Sequence, residues 1–353
     1  QNFATNMPAL SSLSVSSLED GLLTLMDASE VGDRIRAMKK QEDTTYYSID
    51  YLRHNEKRLQ LASERGGVVD EGCRVKMCKW FYQIVDFCKF RRELVSISMS
   101  ILDRFLSTEE GRYALFDRKE YQLIAVTALY MAIKLHEPIE IETSLLADLS
   151  RGCYNKEEIA IMEKDILHVL NWKIHPPTTL IFCVHFLAFL PNYVGLQSEV
   201  AQAIMGYARY QAELATSDYR LVDHKFSHVA LAAISNAVTG LNSSIINIRQ
   251  KGIFLQNIEK YSGILLEDVK EAQGILNSIM MEIYADEDTL SIADEQHLIL
   301  QYGRGRQDYQ TNKQRKVLSP ESPVSVTGGS VQKGGGIKKG AKEHNFSNIR
   351  ENP

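Results

Sequence analysis

The chain has 353 residues, of which 44% are hydrophobic and 24% are charged, and it carries a formal net charge of −5 at pH 7. This length allows two domains of ordinary size with terminal tails, and this apolar content is enough to form buried cores. The mild acidity argues against a protein whose whole surface binds nucleic acid, and no run of about 20 apolar residues predicts a membrane span. We therefore expect neither a membrane nor direct nucleic acid as a partner.

Catalytic and metal-binding patterns are missing from the sequence. The five cysteines are odd in number and none forms a CxxC pair, so they predict buried thiols and not a zinc site or a redox motif. The nine histidines are dispersed, and there is no HExxH motif, Gly-rich phosphate loop or Ser–His–Asp signature. We predict no metal, no cofactor and no catalytic residue.

The N-terminal segment, residues 1–43, is rich in serine and weakly periodic, which predicts flexibility apart from a short helix near Gly21–Asp27. Residues 44–64 carry an imperfect apolar stripe and predict a helix that Gly66 and Gly67 end.

Five helices are predicted next, within a domain that we place at residues 44–175. The third is apolar nearly all round, which is typical of the central helix of a bundle. Asn155 is a suitable N-cap for the fifth helix. The approximate bounds of the five are 70–89, 92–107, 118–135, 142–150 and 155–171.

Pro176 and Pro177 then break the helical pattern and mark a domain boundary. Residues 176–290 again predict five helices, so the fold class is all-α with two tandem five-helix units. Residues 291–353 have few large apolar side chains and many basic ones, and they predict a disordered basic tail. The helices of the second unit are predicted at about 178–190, 198–214, 225–239, 246–259 and 267–285.

Four charged residues, Arg74, Asp103, Lys134 and Glu163, fall among apolar positions of the predicted helices. A charge on an apolar face is costly unless it is paired or hydrogen bonded. The four therefore indicate either a buried ionic network or a surface that grips a partner. Because Arg74 and Asp103 lie on neighbouring helices, an arginine–carboxylate pair between them would satisfy both.

The ordered set of motifs in residues 73–172 resembles the cyclin box, and residues 177–285 resemble a second cyclin domain more weakly. The resemblance implies two tandem cyclin-fold domains of five helices each, with a leading N-terminal helix and flexible tails. The motifs that carry it are Arg74 six residues before Trp80, the sequence ILDRFLS at 101–107, Gln122-Leu123 leading to Lys134, and Met162-Glu163 followed by Ile166-Leu167, Leu170 and Trp172.

The resemblance also implies a role for these residues. In cyclins, the residues that match Arg74 and Asp103 form a structural ion pair, and those that match Lys134 and Glu163 grip a cyclin-dependent kinase. The implied function is a non-catalytic subunit that forms a heterodimer with the kinase and activates it allosterically, most often in cell division. The apolar patch around the grip would comprise Leu135, Leu167, Leu170 and Trp172.

A docking patch for protein substrates or inhibitors is a further implication, with Met77, Trp80 and Gln122 at the matching positions. Lys76 places a positive charge where cyclins usually have an aliphatic residue, and it would repel the arginine of an Arg-x-Leu motif. The alternative interpretation is that Met77 and Trp80 belong to the core.

The tail contains short regulatory motifs. Ser319 and Ser322 each precede a proline and are phosphorylation candidates, and Lys313–Lys316 and Lys338-Lys339 are basic clusters of the nuclear-import type. We therefore expect the protein in the nucleus and the cytoplasm. A solvated tail without these functions is the alternative.

Two other classes of function remain open. The first is a cyclin-fold factor associated with transcription, either linked to a kinase or bound to DNA. A DNA-bound form would carry a zinc ribbon and a basic face, and the sequence has neither. The second is a helical enzyme, which would need a catalytic site that the sequence lacks.

Overall fold

The described residues form helices joined by turns and irregular segments, with no strand among them, which confirms the all-α prediction with two tandem helical units. Three predicted elements lie wholly or mostly outside the described residues. They are the helix at 142–150, the tail at 291–353, and residues 21–26 of the short helix near Gly21–Asp27. No helix in the described part of the chain is long and apolar enough to cross a membrane. The structure is a computed structural model, and it describes residues 27–63, 67–138, 153–191, 197–243 and 245–286.

The twelve α-helices of the described residues are numbered here in chain order. For the helices predicted from residue 70 onwards that lie in the described residues, the predicted and observed bounds agree within three residues. The helices are α1 Ala28–Thr44, α2 Tyr51–His54, α3 Glu56–Ser63, α4 Glu71–Cys88, α5 Glu93–Ser107, α6 Arg118–His136, α7 Lys156–Val169, α8 Thr179–Leu187, α9 Gln197–Ser217, α10 Phe226–Gly240, α11 Ile248–Ser262 and α12 Lys270–Asp286. Short 3-10 turns lie at Arg112–Phe116, Tyr219–Leu221 and Glu267–Val269.

Helix α1 corrects the prediction that residues 1–43 are flexible apart from a short helix near Gly21–Asp27. Asp27 caps this helix, and Val31 and Ile35, one turn apart, are buried in the core of the second unit. Arg36 Nη1 donates to the carbonyl oxygen of Tyr261 at 2.9 Å, which fastens α1 to the end of α11. Sequence reasoning missed this helix because it is mostly polar and only a narrow apolar stripe packs against the core.

The single helix predicted over residues 44–64 is also wrong, because the structure has two short helices there, α2 and α3. Asn55 separates them with φ −107° and ψ 10°, outside the helical region. Its side-chain Nδ2 donates to the carbonyl oxygen of Tyr51 at 2.7 Å. Asparagine competes in this way for backbone groups that would otherwise continue the helix.

The first unit, α4 to α7, packs around α6. All residues from Tyr121 to Ile133 of α6 are buried, and α6 packs against α5 and α7. Asn155 caps α7 as predicted, and a reciprocal hydrogen bond from its backbone to Glu158 completes a capping box. The central helix thereby fixes where α5 and α7 present their side chains.

The second unit, α8 to α12, repeats this plan around α10, which packs against α8, α9 and α12. Its N-terminus is capped from a distant helix, because the buried Glu42 of α1 accepts hydrogen bonds from the backbone and the hydroxyl of Ser227. Burial raises the pKa of Glu42 to about 7, although both hydrogen bonds oppose this shift. Helix α1 is therefore tied to the second unit at its start and at its end.

Candidate partner-binding site

The structure brings Arg74 of α4 and Asp103 of α5 together as a buried, bidentate ion pair. Arg74 Nε lies 3.0 Å from Asp103 Oδ1, and Arg74 Nη2 lies 2.8 Å from Oδ2. The Tyr51 hydroxyl also donates to Oδ1 at 2.9 Å, and Arg74 Nη1 donates to the carbonyl oxygen of Thr216 in α9 at 3.0 Å. Burial alone would lower the pKa of Arg74, but Asp103 raises it well above its usual value. This network is structural and joins both units.

Lys134 and Glu163 also meet, but on the surface. Lys134 lies in the last turn of α6, and its Nζ is 3.1 Å from Oε1 of Glu163 in α7. Their side chains are 56% and 19% exposed, and Lys134 also lies over the ring of Tyr130 at 5.5 Å. A surface ion pair of this kind contributes about 0–1 kcal/mol to stability, so a partner can rearrange it at little cost.

The apolar residues predicted around this pair differ in their exposure. Leu135 is 50% exposed and Trp172 is 73% exposed, while Leu167 is partly buried. Leu170 is only 6% exposed and belongs to the core of the first unit, so its predicted place in a surface patch is wrong. We call Leu135, Trp172 and the Lys134–Glu163 pair the Lys134 surface.

The backbone that presents Trp172 has an unusual conformation. Helix α7 ends in a Schellman motif, in which the N–H of Asn171 donates to the carbonyl of His168 at 3.1 Å and the N–H of Trp172 donates to that of Leu167 at 2.9 Å. Asn171 and Trp172 both have positive φ, 50° and 61°. The left-handed region costs an L-residue about 1–2 kcal/mol, so the strain at a bulky, exposed tryptophan points to a functional constraint.

Two further contacts, which sequence reasoning missed, hold the segment that follows Trp172. Arg104 Nη1 donates to the carbonyl oxygen of Lys173 at 2.7 Å. His175 Nδ1 lies 3.2 Å from His136 Nε2, and the two rings stack with centroids 4.8 Å apart. Burial, together with the nearby His175 and Arg91, lowers the pKa of His136 to about 4. The Arg104 bond joins α5 to the segment that carries Trp172, and the histidine contact joins that segment to the one that carries Leu135.

The predicted docking patch is not a surface in this structure. Met77 and Gln122 are fully buried and Trp80 is 3% exposed, so all three belong to the interior of the first unit. The core interpretation of Met77 and Trp80 is the correct one, because these residues occupy the inward face of α4 next to α6. Lys76, on the same helix, is exposed. The predicted phosphorylation sites Ser319 and Ser322 and both basic clusters lie outside the described residues.

The chain matches two family models in succession. The model of the cyclin N-terminal domain matches residues 33–175, and that of the cyclin C-terminal domain matches residues 177–297. Among solved structures, a viral cyclin from herpesvirus saimiri is 18% identical, with a TM-score of 0.48, and the match covers 67% of this chain and 99% of that one.

Curated relatives agree with the family models. The G1/S-specific cyclin-D1 of Xenopus laevis is 25% identical over 280 residues, which cover 76% of this chain and 90% of the relative. The human G1/S-specific cyclin-D1 is 29% identical over 217 residues, 61% of this chain and 67% of the relative. The G2/mitotic-specific cyclin S13-6 of Glycine max is 28% identical over 220 residues, 62% of this chain and 45% of the relative. The chain belongs to the cyclin family.

Proposed function

We propose that this chain is a regulatory subunit that binds a cyclin-dependent serine/threonine kinase and activates it allosterically. The observation that carries the proposal is the Lys134 surface, where a solvent-facing ion pair stands with two exposed apolar side chains in the first cyclin domain. The matches to both cyclin domains support it, since cyclins act as regulatory subunits without chemistry of their own.

The composition of the Lys134 surface suits a protein partner. Exposed aromatic residues are enriched at the energetic centres of protein interfaces, and Trp172 is the most exposed of the large hydrophobic residues in the first unit. The backbone N–H of Trp172 donates to the carbonyl oxygen of Leu167, and Arg104 donates to the carbonyl oxygen of the next residue, Lys173. These two hydrogen bonds hold the backbone at Trp172. A backbone segment that is ordered in advance loses less entropy on binding, which favours affinity.

Activation follows from selective binding to one kinase conformation. A protein kinase transfers phosphate only when its Lys–Glu ion pair is formed and its activation loop is ordered. A subunit that binds this state more tightly than the inactive one shifts the population toward it by its difference in affinity. Lys134 and Glu163 would hydrogen-bond the kinase, while Leu135 and Trp172 would bury apolar surface against it.

Cell-division control is the role that we propose for the complex. The named relatives include G1/S-specific cyclins and a G2/mitotic-specific cyclin, so they support the cell cycle as the setting without distinguishing a phase.

Capture of a kinase from cell extract tests the proposal. The bait is the full chain, compared with the Lys134→Ala/Glu163→Ala double variant, and captured proteins are identified by mass spectrometry. Ile161→Ala is the matched control, because Ile161 is 63% exposed on α7 but lies two residues, about 200° around the helix, from Glu163.

We expect wild type and Ile161→Ala to capture the same cyclin-dependent kinase and the double variant to lose it. If wild type captures no such kinase, or the double variant captures it equally well, the proposed use of the Lys134 surface is wrong. Retention of the wild type on DNA would favour the transcription-associated alternative.

A further inference from the structure

A groove with an apolar floor lies where the first and second units meet, on α2, α3, the start of α4 and the 3-10 turn Tyr219–Leu221. Its volume is about 610 Å³. Tyr219 fixes the two sides together, because its hydroxyl donates to Asp50 at 2.9 Å and accepts from the backbone N–H of Leu52 at 2.8 Å. The floor consists of Leu52, Leu59, Val68, Val69 and Tyr219.

The rim of this groove is acidic. Five carboxylates line it against two arginines, Arg53 and Arg220, and Arg118 lies 3.4 Å from the carboxylate of Asp70, so the rim keeps an excess of about two negative charges. Arg220 is itself engaged by Asp218 at 2.7 Å, so its charge is largely compensated locally. An occupant must therefore combine basic residues for the rim with apolar residues for the floor. The carboxylates are Asp50, Glu56, Asp70, Glu71 and Asp223.

The C-terminal helix of the described chain runs past the groove. Arg220 Nη1 donates to the hydroxyl of Ser278 at 3.3 Å, and Arg220 Nη2 lies 3.6 Å from Glu282 Oε1. Glu282 lies one helical turn before Asp286, the last residue of α12. Helix α12 therefore ends close to the groove.

The sequence beyond α12 contains a segment with the required chemistry. Residues 313–318 read Lys-Gln-Arg-Lys-Val-Leu, which is a basic cluster followed at once by two aliphatic residues. Position 313 follows position 286 by 27 residues. A chain of that length reaches up to about 90 Å when fully extended, so the length allows the segment to return to a groove beside the end of α12.

We propose that Lys313–Leu318 binds in this groove in cis. Lys313, Arg315 and Lys316 face the acidic rim, and Val317 and Leu318 lie on the apolar floor. Ser319 follows Leu318 directly and precedes Pro320, so a phosphate there adds nearly two negative charges beside the acidic rim. Repulsion then releases the segment, which makes the groove a phosphorylation-sensitive docking site that is separate from the Lys134 surface.

Zero-length cross-linking between amines and carboxylates tests the contact directly in the full chain. We expect the amines of Lys313 and Lys316 to couple to Glu71 or Asp223, with mass spectrometry locating the bonds. A mixture of isotopically light and heavy chains separates coupling in cis from coupling between two copies. Coupling of both lysines elsewhere, or only between copies, would overturn the proposal.

Competition by a labelled peptide of residues 310–319 measures the same contact without a covalent bond. Fluorescence anisotropy should show about tenfold tighter peptide binding to the full-length Lys313→Gln/Arg315→Gln/Lys316→Gln variant than to wild type, because the tethered segment no longer competes. Equal affinity for both chains would argue against occupation in cis.

Substitutions in the groove test whether the peptide binds to its acidic rim and not to negative charge elsewhere on the protein. In the background of the tail variant, Glu71→Gln/Asp223→Asn should weaken peptide binding at least fivefold. Glu157→Gln/Asp165→Asn, which removes the same charge from exposed sites on α7, should leave it unchanged. A peptide with phosphoserine at 319 should bind at least fivefold more weakly than the unmodified one. Equal effects of both carboxylate pairs would mean non-specific electrostatic attraction and would contradict the proposal.

Discussion

The two ion pairs of the first unit have opposite physical roles. Arg74 and Asp103 are almost completely buried, and each satisfies a charge that the interior could not otherwise hold. Lys134 and Glu163 make a single contact at 3.1 Å and remain in contact with solvent, so their pairing adds little to the fold. Burial and bidentate geometry therefore mark the pair that maintains the structure, and exposure marks the pair that is available to a partner.

Substitution of one member of each pair separates these roles. Asp103→Ala leaves the buried guanidinium of Arg74 without its carboxylate and should lower the free energy of unfolding by about 3–5 kcal/mol. Lys134→Ala should lower it by less than about 1 kcal/mol. Urea unfolding followed by circular dichroism measures both. Similar losses for the two variants would contradict the assignment.

Trp172 offers a test of backbone strain at the partner-binding site. Trp172→Gly removes the left-handed strain at φ 61° but adds flexibility to the unfolded chain, whereas Trp172→Ala keeps the strain. The glycine variant should therefore be more stable than the alanine variant by about 0.5–1 kcal/mol in thermal or urea unfolding. Both should lose affinity for the kinase. An alanine variant as stable as the glycine variant would mean that no strain is stored there.

At the scale of elements, a single titratable group contributes to the position of α1. Glu42 of α1 caps α10 through Ser227, and burial raises its pKa to about 7 from an ordinary value of 4.5. At this carboxyl group the folded state therefore binds more protons than the unfolded state between these two pH values. The contribution of Glu42 to stability falls as the pH rises through this window.

Glu42→Gln keeps an acceptor for Ser227 and removes the titration. The gain in stability of this variant over wild type should be near zero at pH 4 and grow to about 3 kcal/mol at pH 8. His136, whose lowered pKa has the opposite effect, is common to both chains and cancels in the difference. Urea unfolding at several pH values provides the measurement. A difference that does not change with pH would contradict this account of the cap.

Long helices with a strong hydrophobic pattern or a clear cap were predicted correctly from the sequence. Elements whose position depends on a few tertiary contacts were not. The α6 helix was found from its apolar residues on all sides, and α7 from its cap at Asn155. Helix α1 was missed because Val31 and Ile35 give little signal until the second unit covers them.

Exposure was the weaker part of the site prediction. Resemblance assigned Lys134 and Glu163 to one surface, and the structure places them in contact. Periodicity cannot tell whether an apolar residue such as Leu170 faces the core or a partner. The contact between His136 and His175 joins residues 39 positions apart, and only the packing of α6 against the chain after α7 creates it. Such contacts depend on tertiary structure and have no local sequence signal.

At the scale of the whole molecule, polar contacts join the two cyclin domains. Arg74 reaches the carbonyl of Thr216, the Tyr82 hydroxyl reaches that of Glu213 at 3.2 Å, and Arg92 lies 2.8 Å from the Glu213 carboxylate. Each of these bonds joins the first unit to α9. The two domains are therefore expected to unfold together.

The two tryptophans allow this expectation to be tested. Trp80 and Trp172 both lie in the first unit, so their fluorescence reports that domain, whereas far-ultraviolet circular dichroism reports the helices of both. The two signals should show one common midpoint in urea. Two separated transitions would mean that the contacts to α9 do not couple the domains.

The most direct test of the central claim is the rate of phosphate transfer by a purified cyclin-dependent kinase to a histone-type substrate. The rate is measured for the kinase alone and with equal concentrations of wild type, Ile161→Ala or the Lys134→Ala/Glu163→Ala variant. We predict that wild type and Ile161→Ala raise the rate equally, and that the double variant reaches less than about a tenth of that increase, a loss of at least about 1.4 kcal/mol. The account would be contradicted if the double variant activated the kinase fully. It would also be contradicted if the wild type failed to raise the rate of the kinase that it captures.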